Sequence, residues 1–348
     1  MGTRTFAIAA ILLSTLIFEA AMVSAQTSYG LRALSLDSRY FIHGYSNSAV
    51  GRFGVEMIHL GSLPASLIFT SDSVTDVSEN TFLFYDSRQV KNVGEGLTLL
   101  LGSAFLATGF HHAFHEYGHG TRLAAGGWKP LYAHTCPGSA VHDNFISYYL
   151  SSFFDYSGYT YSEASLFTPA NGSLLIGWRG PVSMGGINNS MFFAELIEDE
   201  LHRNGGHIGF AFPHAVGKLS GNLVKYGTWG DVRGIAEYYS QERGYNIGTG
   251  TIRSASAASF FLSSMSYQFA FQLIQIFMGE SPRFRPWEVY GVQLPNTAFY
   301  MNRDGLSYKV RSAYRDKSWR FPIAVEYVFE GESRTELSIG AESQWKNL

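Results

Sequence analysis

The sequence predicts a mainly α-helical chain whose core crosses a membrane in several passes, followed by a small antiparallel β-rich region at the C-terminus. Three observations lead there. Charged residues make up 15% of the chain while aromatic residues reach 16% and glycines number 37, which is sparse in charge and rich in rings and small residues for a fold bathed in water. Three long stretches in the middle of the chain are almost free of charge. Beyond about Leu306 the pattern changes to alternation of apolar and polar residues, the period of a strand with one covered face. A chain of 348 residues has room for one membrane unit with an appendage, or for two domains.

The elements follow in order. Arg4, the apolar run Phe6 to Phe18 and the small residues Val23-Ser24-Ala25 have the layout of an export signal, so residues 1–25 are expected to be a signal peptide cleaved after Ala25 or, since Ala20 to Val23 prolong the apolar run, an N-terminal anchor. Residues 26–94 read as a polar, turn-rich lead-in. Residues 95–280 form the expected membrane-associated helical core. Within it, Leu97 to Phe114 is an 18-residue run whose only ionisable groups are His111 and His112. Gly172 to Ala194 carries one charge, Arg179, and its Gly180-Pro181 and Gly185-Gly186 pairs predict a broken helix. Ser254 to Met278 is 25 residues without charge. Membrane spans are expected at about 96–119 and 253–278. Residues 281–348 form the expected β-rich region, with turns at Arg303-Asp304-Gly305 and Glu330-Gly331.

Composition also excludes. A net charge of -3 gives no basic surface for phosphates, so nucleic acid is not a partner. Cys136 is the single cysteine, which rules out an intrachain disulfide and a cysteine-based zinc site; a small buried residue is expected there.

The chemistry concentrates at the end of the first apolar run. His115-Glu116-Tyr117-Gly118-His119 is an H-E-x-x-H pattern. On a helix, the spacing of four puts both imidazoles on one face, where they can converge on one zinc ion, and Glu116 is offset by about 100° to act as general base. The plainer reading is a helix end whose histidines satisfy backbone carbonyls. His111 and His112, about one turn earlier, are expected to pack or sit at an interface rather than bind metal.

With its surroundings, the stretch "HEYGHGTRLAAGG" resembles the first metal helix of the site-2 protease family of intramembrane zinc metalloproteases. Gly180-Pro181 followed by Asn188 and Asn189, in "RGPVSMGGINN", is similar to that family's Gly-Pro and Asn element, and "NLVKYGTWGDVRGI" is similar to its Asn and Asp-Gly element. The proline after Asn is absent, and the glycine precedes Asp231 rather than following it. The resemblance implies Zn2+ as cofactor, held by His115, His119 and Asp231, with Glu116 catalytic and Asn188, Asn189 and Asn222 binding substrate. It implies a protein or peptide substrate, lipid contact, and residence in an envelope or cell membrane. Glu195-Leu196-Ile197-Glu198-Asp199 resembles instead the element by which gluzincin peptidases supply a glutamate, which would make Glu195 the third ligand of a soluble exported enzyme. A non-catalytic envelope protein is the remaining alternative.

Overall fold

The structure, a computed structural model, describes residues 47–69, 87–125, 130–134, 140–153, 158–162, 173–223, 230–316 and 319–343. The signal-like residues 1–25 and Cys136 lie outside them.

Two short helices, α1 (Asn47–Leu60) and α2 (Leu63–Phe69), fall where a turn-rich lead-in was expected. They form because Val50, Val55, Ile58 and Ala65 return to one side and are buried in the main core. That core is built around α3 (Ser87–Ala125), 39 residues long. Between α3 and the next long helix stand a small sheet of β1 (Pro130–His134), β2 (Val141–His142) and β3 (Gly158–Ser162), in the order β2-β1-β3, and α4 (Phe145–Ser151), capped by the Asn144 side chain. The second long helix, α5 (Ser173–Asn204), has 32 residues. After it come β4 (Gly206–His207), α6 (Ala211–Lys218), α7 (Ser220–Leu223), α8 (Asp231–Glu237), α9 (Thr249–Phe261) and α10 (Ser264–Phe277).

The glycine-rich segment is therefore not a broken helix. α5 runs on through Pro181, which lacks only one backbone donor, and its glycine pair serves to bring two helices together. A Cβ on Gly118 of α3 would lie 2.1 Å from the Gly185 carbonyl oxygen, and one on Gly185 would lie 2.3 Å from that of Gly118. Only glycine allows this approach, which sets the α3–α5 crossing at the H-E-x-x-H residues.

The multi-pass expectation is corrected too. Among the described residues one helix, Arg88–Ala124, is long and apolar enough to cross a membrane, and 33% of its apolar window is buried inside the protein. The stretch expected to span at 253–278 is two helices, with Ser263 extended between them. Asn296 explains the break: its side-chain oxygen accepts hydrogen bonds from the Ser263 and Ser264 hydroxyls and the Met265 amide at 2.8, 3.0 and 2.9 Å, which starts a new helix there. At about 1.5 Å per residue, neither piece reaches the ~30 Å of a hydrocarbon core.

The β-rich region starts earlier than the alternation showed. β5 (Arg283–Phe284) pairs with β4. The main sheet is antiparallel and comprises β6 (Glu288–Val289), β7 (Val292–Gln293), β8 (Asn296–Asn302), β9 (Gly305–Arg315), β10 (Trp319–Gly331), β11 (Thr335–Ile339) and β12 (Glu342–Ser343). Its order is β11-β10-β9-β7-β6, with β8 also on β9 and β12 also on β10.

Cations of this sheet face acids of α5. Glu198, fully buried, pairs with Lys218 (2.8 Å), His214 (3.0 Å) and Arg311 (2.8 Å). Arg320 reaches Asp199 at 3.0 Å. Burial pushes the Glu198 carboxyl up, but Lys218, His214 and Arg311 outweigh it and hold the group well below its ordinary value. Removing one partner of such a pair leaves an uncompensated buried charge, a cost of about 3–5 kcal/mol. The sheet is thus fastened to the helices by charge.

Candidate metal site

Each residue of the site is positioned by one of three helices. His115 and His119 lie one turn apart on α3, with ring centroids 4.9 Å apart. Asp231 is the first residue of α8, where the exposed amides of a helix start favour a carboxylate. α8 is brought in by Gly180, on which a Cβ would lie 2.2 Å from the Tyr238 ring just beyond α8. The Gly-Pro glycine thereby makes room for the element that carries Asp231.

The three side chains meet. Asp231 Oδ2 lies 3.0 Å from His115 Nε2 and 3.2 Å from His119 Nε2. His115, His119 and Asp231 offer ligand atoms within 4.8 Å of one another and form a possible metal-binding triad. Burial pushes the Asp231 carboxyl up, yet the facing His119 and His115 more than offset this and hold it below the ordinary aspartate range.

The back of each imidazole is also held, and this fixes the tautomers. His119 Nδ1 is 2.7 Å from the Val182 carbonyl oxygen, which can only accept, so Nδ1 carries the hydrogen. Ser190 Oγ donates to the Gly186 carbonyl at 3.1 Å, and His115 Nδ1, 3.1 Å from that hydroxyl, donates to it in turn. With both Nδ1 atoms so engaged, both Nε2 atoms face the Asp231 carboxylate, which accepts from them when they carry protons; a metal cation would take the place of those protons. Three electron-rich atoms at this range repel unless a positive charge stands among them, supplied either by protons on the rings or by a metal cation. A carbonyl or hydroxyl behind a histidine is also the usual support of a metal-bound imidazole.

The donor set and the space both suit a small cation. Two imidazole nitrogens and one carboxylate oxygen are zinc ligands that leave a fourth position for water. A Cβ on Gly186 would lie 2.5 Å from His119 Nε2 and 2.6 Å from His115 Nε2, so glycine keeps the α5 side of the site clear. Val182, Gly186 and Ser190 recur every four residues and form one stripe of α5 facing the histidines. Sequence reasoning missed Val182, Gly186 and Ser190. That spacing, starting next to Gly180-Pro181, was the available signal.

Glu116 is buried on α3 beside the triad. Its charge is felt by Tyr132 of β1, whose hydroxyl is pushed up by burial first, then by Tyr117 and Glu116.

The other predicted residues are elsewhere. Glu195 is buried and paired with Lys309 at 3.1 Å and Arg311 at 3.3 Å. The Asn188 side chain clasps the Met301 backbone of β8, donating to its carbonyl at 2.7 Å and accepting from its amide at 3.0 Å. Asn189 donates to the Phe114 carbonyl at 3.1 Å, and Asn222 to that of Arg253 at 3.1 Å. His112 Nε2 lies 3.0 Å from the Tyr148 hydroxyl, and His111 is a member of neither the triad nor that pair. No family profile, characterised protein or solved structure matches the chain.

Proposed function

We propose that the protein is a zinc-dependent endopeptidase acting at or within a membrane, similar in its chemistry to site-2 proteases. The observation that carries this reading is the convergence of two Nε2 atoms on the Asp231 carboxylate, with both Nδ1 atoms already engaged by α5. His115, His119 and Asp231 would hold Zn2+, which when bound supplies Lewis acidity and lowers the pKa of water. Glu116, the H-E-x-x-H glutamate buried next to His115, takes a proton from the attacking water and returns it to the leaving amine. Ser190 and the Val182 carbonyl hold the two imidazoles in the tautomer that faces the ion.

The membrane half of the reading is supported by Arg88–Ala124, which carries the H-E-x-x-H residues near its C-terminal end and has an apolar window of which 33% is buried inside the protein. The gluzincin alternative would need Glu195 at the metal, and its carboxylate is engaged with Lys309 and Arg311. The test is metal content and peptide hydrolysis of the purified protein beside His115→Ala and Glu116→Gln. Stoichiometric zinc lost in the first variant, with hydrolysis lost in both, is expected. Hydrolysis that persists in Glu116→Gln removes the peptidase reading.

A further inference from the structure

The C-terminal sheet is inverted relative to an ordinary water-facing sheet. Its inner face carries Lys309, Arg311 and Arg320 toward α5. Its outer face is apolar and, along β10 and β11, exposed; on β8 the same face is covered, with Phe299 and Thr297 buried and Tyr308 donating to the Ala255 carbonyl of α9. On β10, Trp319, Phe321, Ile323, Val325 and Tyr327 alternate outward. The register sets Val310 and Leu337 on either side of Val325, and Ser312 and Ile339 on either side of Ile323. Among these outward residues none is charged, although the same strands place charge on the opposite face. Water explains the reverse arrangement, not this one.

The apolar surface does not stop at the sheet. Val292 of β7 is registered with Tyr314, which stacks on Phe321. The β6–β7 turn projects Tyr290, 97% exposed, between Val289 and Val292. Trp287, just before it, meets Phe271 of α10 with ring centroids 5.3 Å apart. Along α10, Tyr267, Phe271, Ile274 and Met278 form one exposed helical stripe. The end of α10 is tied to α3 where Gln89 and Asn92 donate to the Phe277 and Gly279 carbonyls. There Leu97, Leu101 and Phe105 of α3 continue as an exposed stripe at four-residue spacing. The sheet face is therefore one end of a belt whose other end is the outer side of the helix long and apolar enough to cross a bilayer.

We propose that the outer face of the C-terminal sheet docks flat on a lipid bilayer, continuing the lipid contact of α3. Its tryptophan and tyrosines suit the polar boundary of a membrane, where an apolar ring and a polar tip are both satisfied. The exposed Arg283 and Arg285, next to Trp287, supply charge that complements anionic headgroups. The sheet rests on the boundary rather than crossing it, since its edge strands carry unpaired backbone groups that hydrocarbon does not tolerate. The proposal rests on the membrane half of the functional reading and not on the metal.

The test uses the full chain with Cys136→Ser and single cysteines at Ile323, Leu337 or Ser338, each carrying an environment-sensitive fluorophore. Leu337 and Ser338 are adjacent, both exposed, and on opposite faces of β11. In vesicles containing anionic lipid, quenching by lipid-borne spin labels is expected to be at least twofold greater at 323 and 337 than at 338. Equal, weak quenching at all three in protein that stays membrane-bound overturns the proposal and leaves the membrane reading standing. Labels shielded at 323 and 337 without lipid quenching also overturn it, the face then being covered by a second copy or another segment of this chain. Failure of the protein to associate with vesicles defeats both.

Discussion

Gly186→Ala separates the metal site from the fold that holds it. In the middle of a helix, alanine is favoured over glycine by about 0.5–1 kcal/mol, so the substitution does nothing to weaken α5 as a helix. The added Cβ would stand 2.5 Å from His119 Nε2 and Cε1 and 2.6 Å from His115 Nε2, against ordinary contact from 3.4 Å. The imidazoles must withdraw by about 0.8–0.9 Å, while zinc ligands tolerate displacements of only ~0.2 Å. Changes that merely disturb the support of a metal ligand cost about 10–100-fold in affinity. Displacing both imidazoles is expected to cost at least the upper end of that range. Zinc affinity would be measured by competition with a chromogenic chelator at fixed pH, and stability by thermal unfolding of metal-free protein. The expected result is a loss of at least 100-fold in affinity with a fall in metal-free stability of no more than about 1–3 kcal/mol, the usual cost of overpacking. Wild-type zinc affinity in Gly186→Ala would refute the placement of the ion between α3 and α5. Loss of affinity together with a collapsed fold would show that the glycine serves packing alone.

Further outcomes follow from the same geometry. Glu116→Gln should retain zinc and lose hydrolysis, measured by metal analysis beside a peptidase assay, because the ligands stay and the base goes. Asp231→Ala should lose zinc strongly in the chelator titration, while Glu195→Ala should retain it but unfold more easily by about 1–3 kcal/mol, since Lys309 loses its partner while Arg311 keeps Glu198 and Asp199; equal zinc retention by both would sink the triad. Ser190→Ala should weaken zinc by about 10-fold, with Ser190→Thr restoring most of it if the hydroxyl orients His115. His202 and His207 are pushed down to about 4 and about 3, first by burial. Between those values and ~6.5 the unfolded chain takes up protons that the folded one refuses, so stability present at neutral pH falls as pH drops below about 6.5. His202 alone then costs about 3 kcal/mol by pH 4, and denaturant titrations from pH 7 to 4 should show His202→Asn with a shallower decline.

What the sequence revealed is what depends on local spacing. The H-E-x-x-H pattern locates two imidazoles because a helix places positions 115 and 119 together whatever surrounds them. Alternation after Leu306 reveals strands for the same reason. The break at Ser263 was hidden because its cause, Asn296, is 33 residues away and contributes a side-chain oxygen rather than a helix-breaking residue. The glycine pairs of α5 were misread because glycine signals both a break and a close approach, and only the partner backbone at Gly118 distinguishes the two. Glu195 resembled a ligand because a carboxylate in a helix looks alike in sequence whether a metal or an arginine faces it. Its cations arrive from Lys309 and Arg311, more than 110 residues later.

That late arrival governs the order in which the protein can be completed. Glu198 meets Lys218 and His214 soon after α5 is made, but Glu195 and Asp199 leave the ribosome long before Lys309, Arg311 and Arg320 exist to neutralise them, so α5 is not fully fastened until those strands follow. The histidine-facing stripe of Val182, Gly186 and Ser190 belongs to the same helix. A nascent or C-terminally truncated chain would carry His115, His119 and Asp231 and still lack the fully fastened helix whose stripe faces them, which delays completion of the triad's surroundings until synthesis is nearly finished.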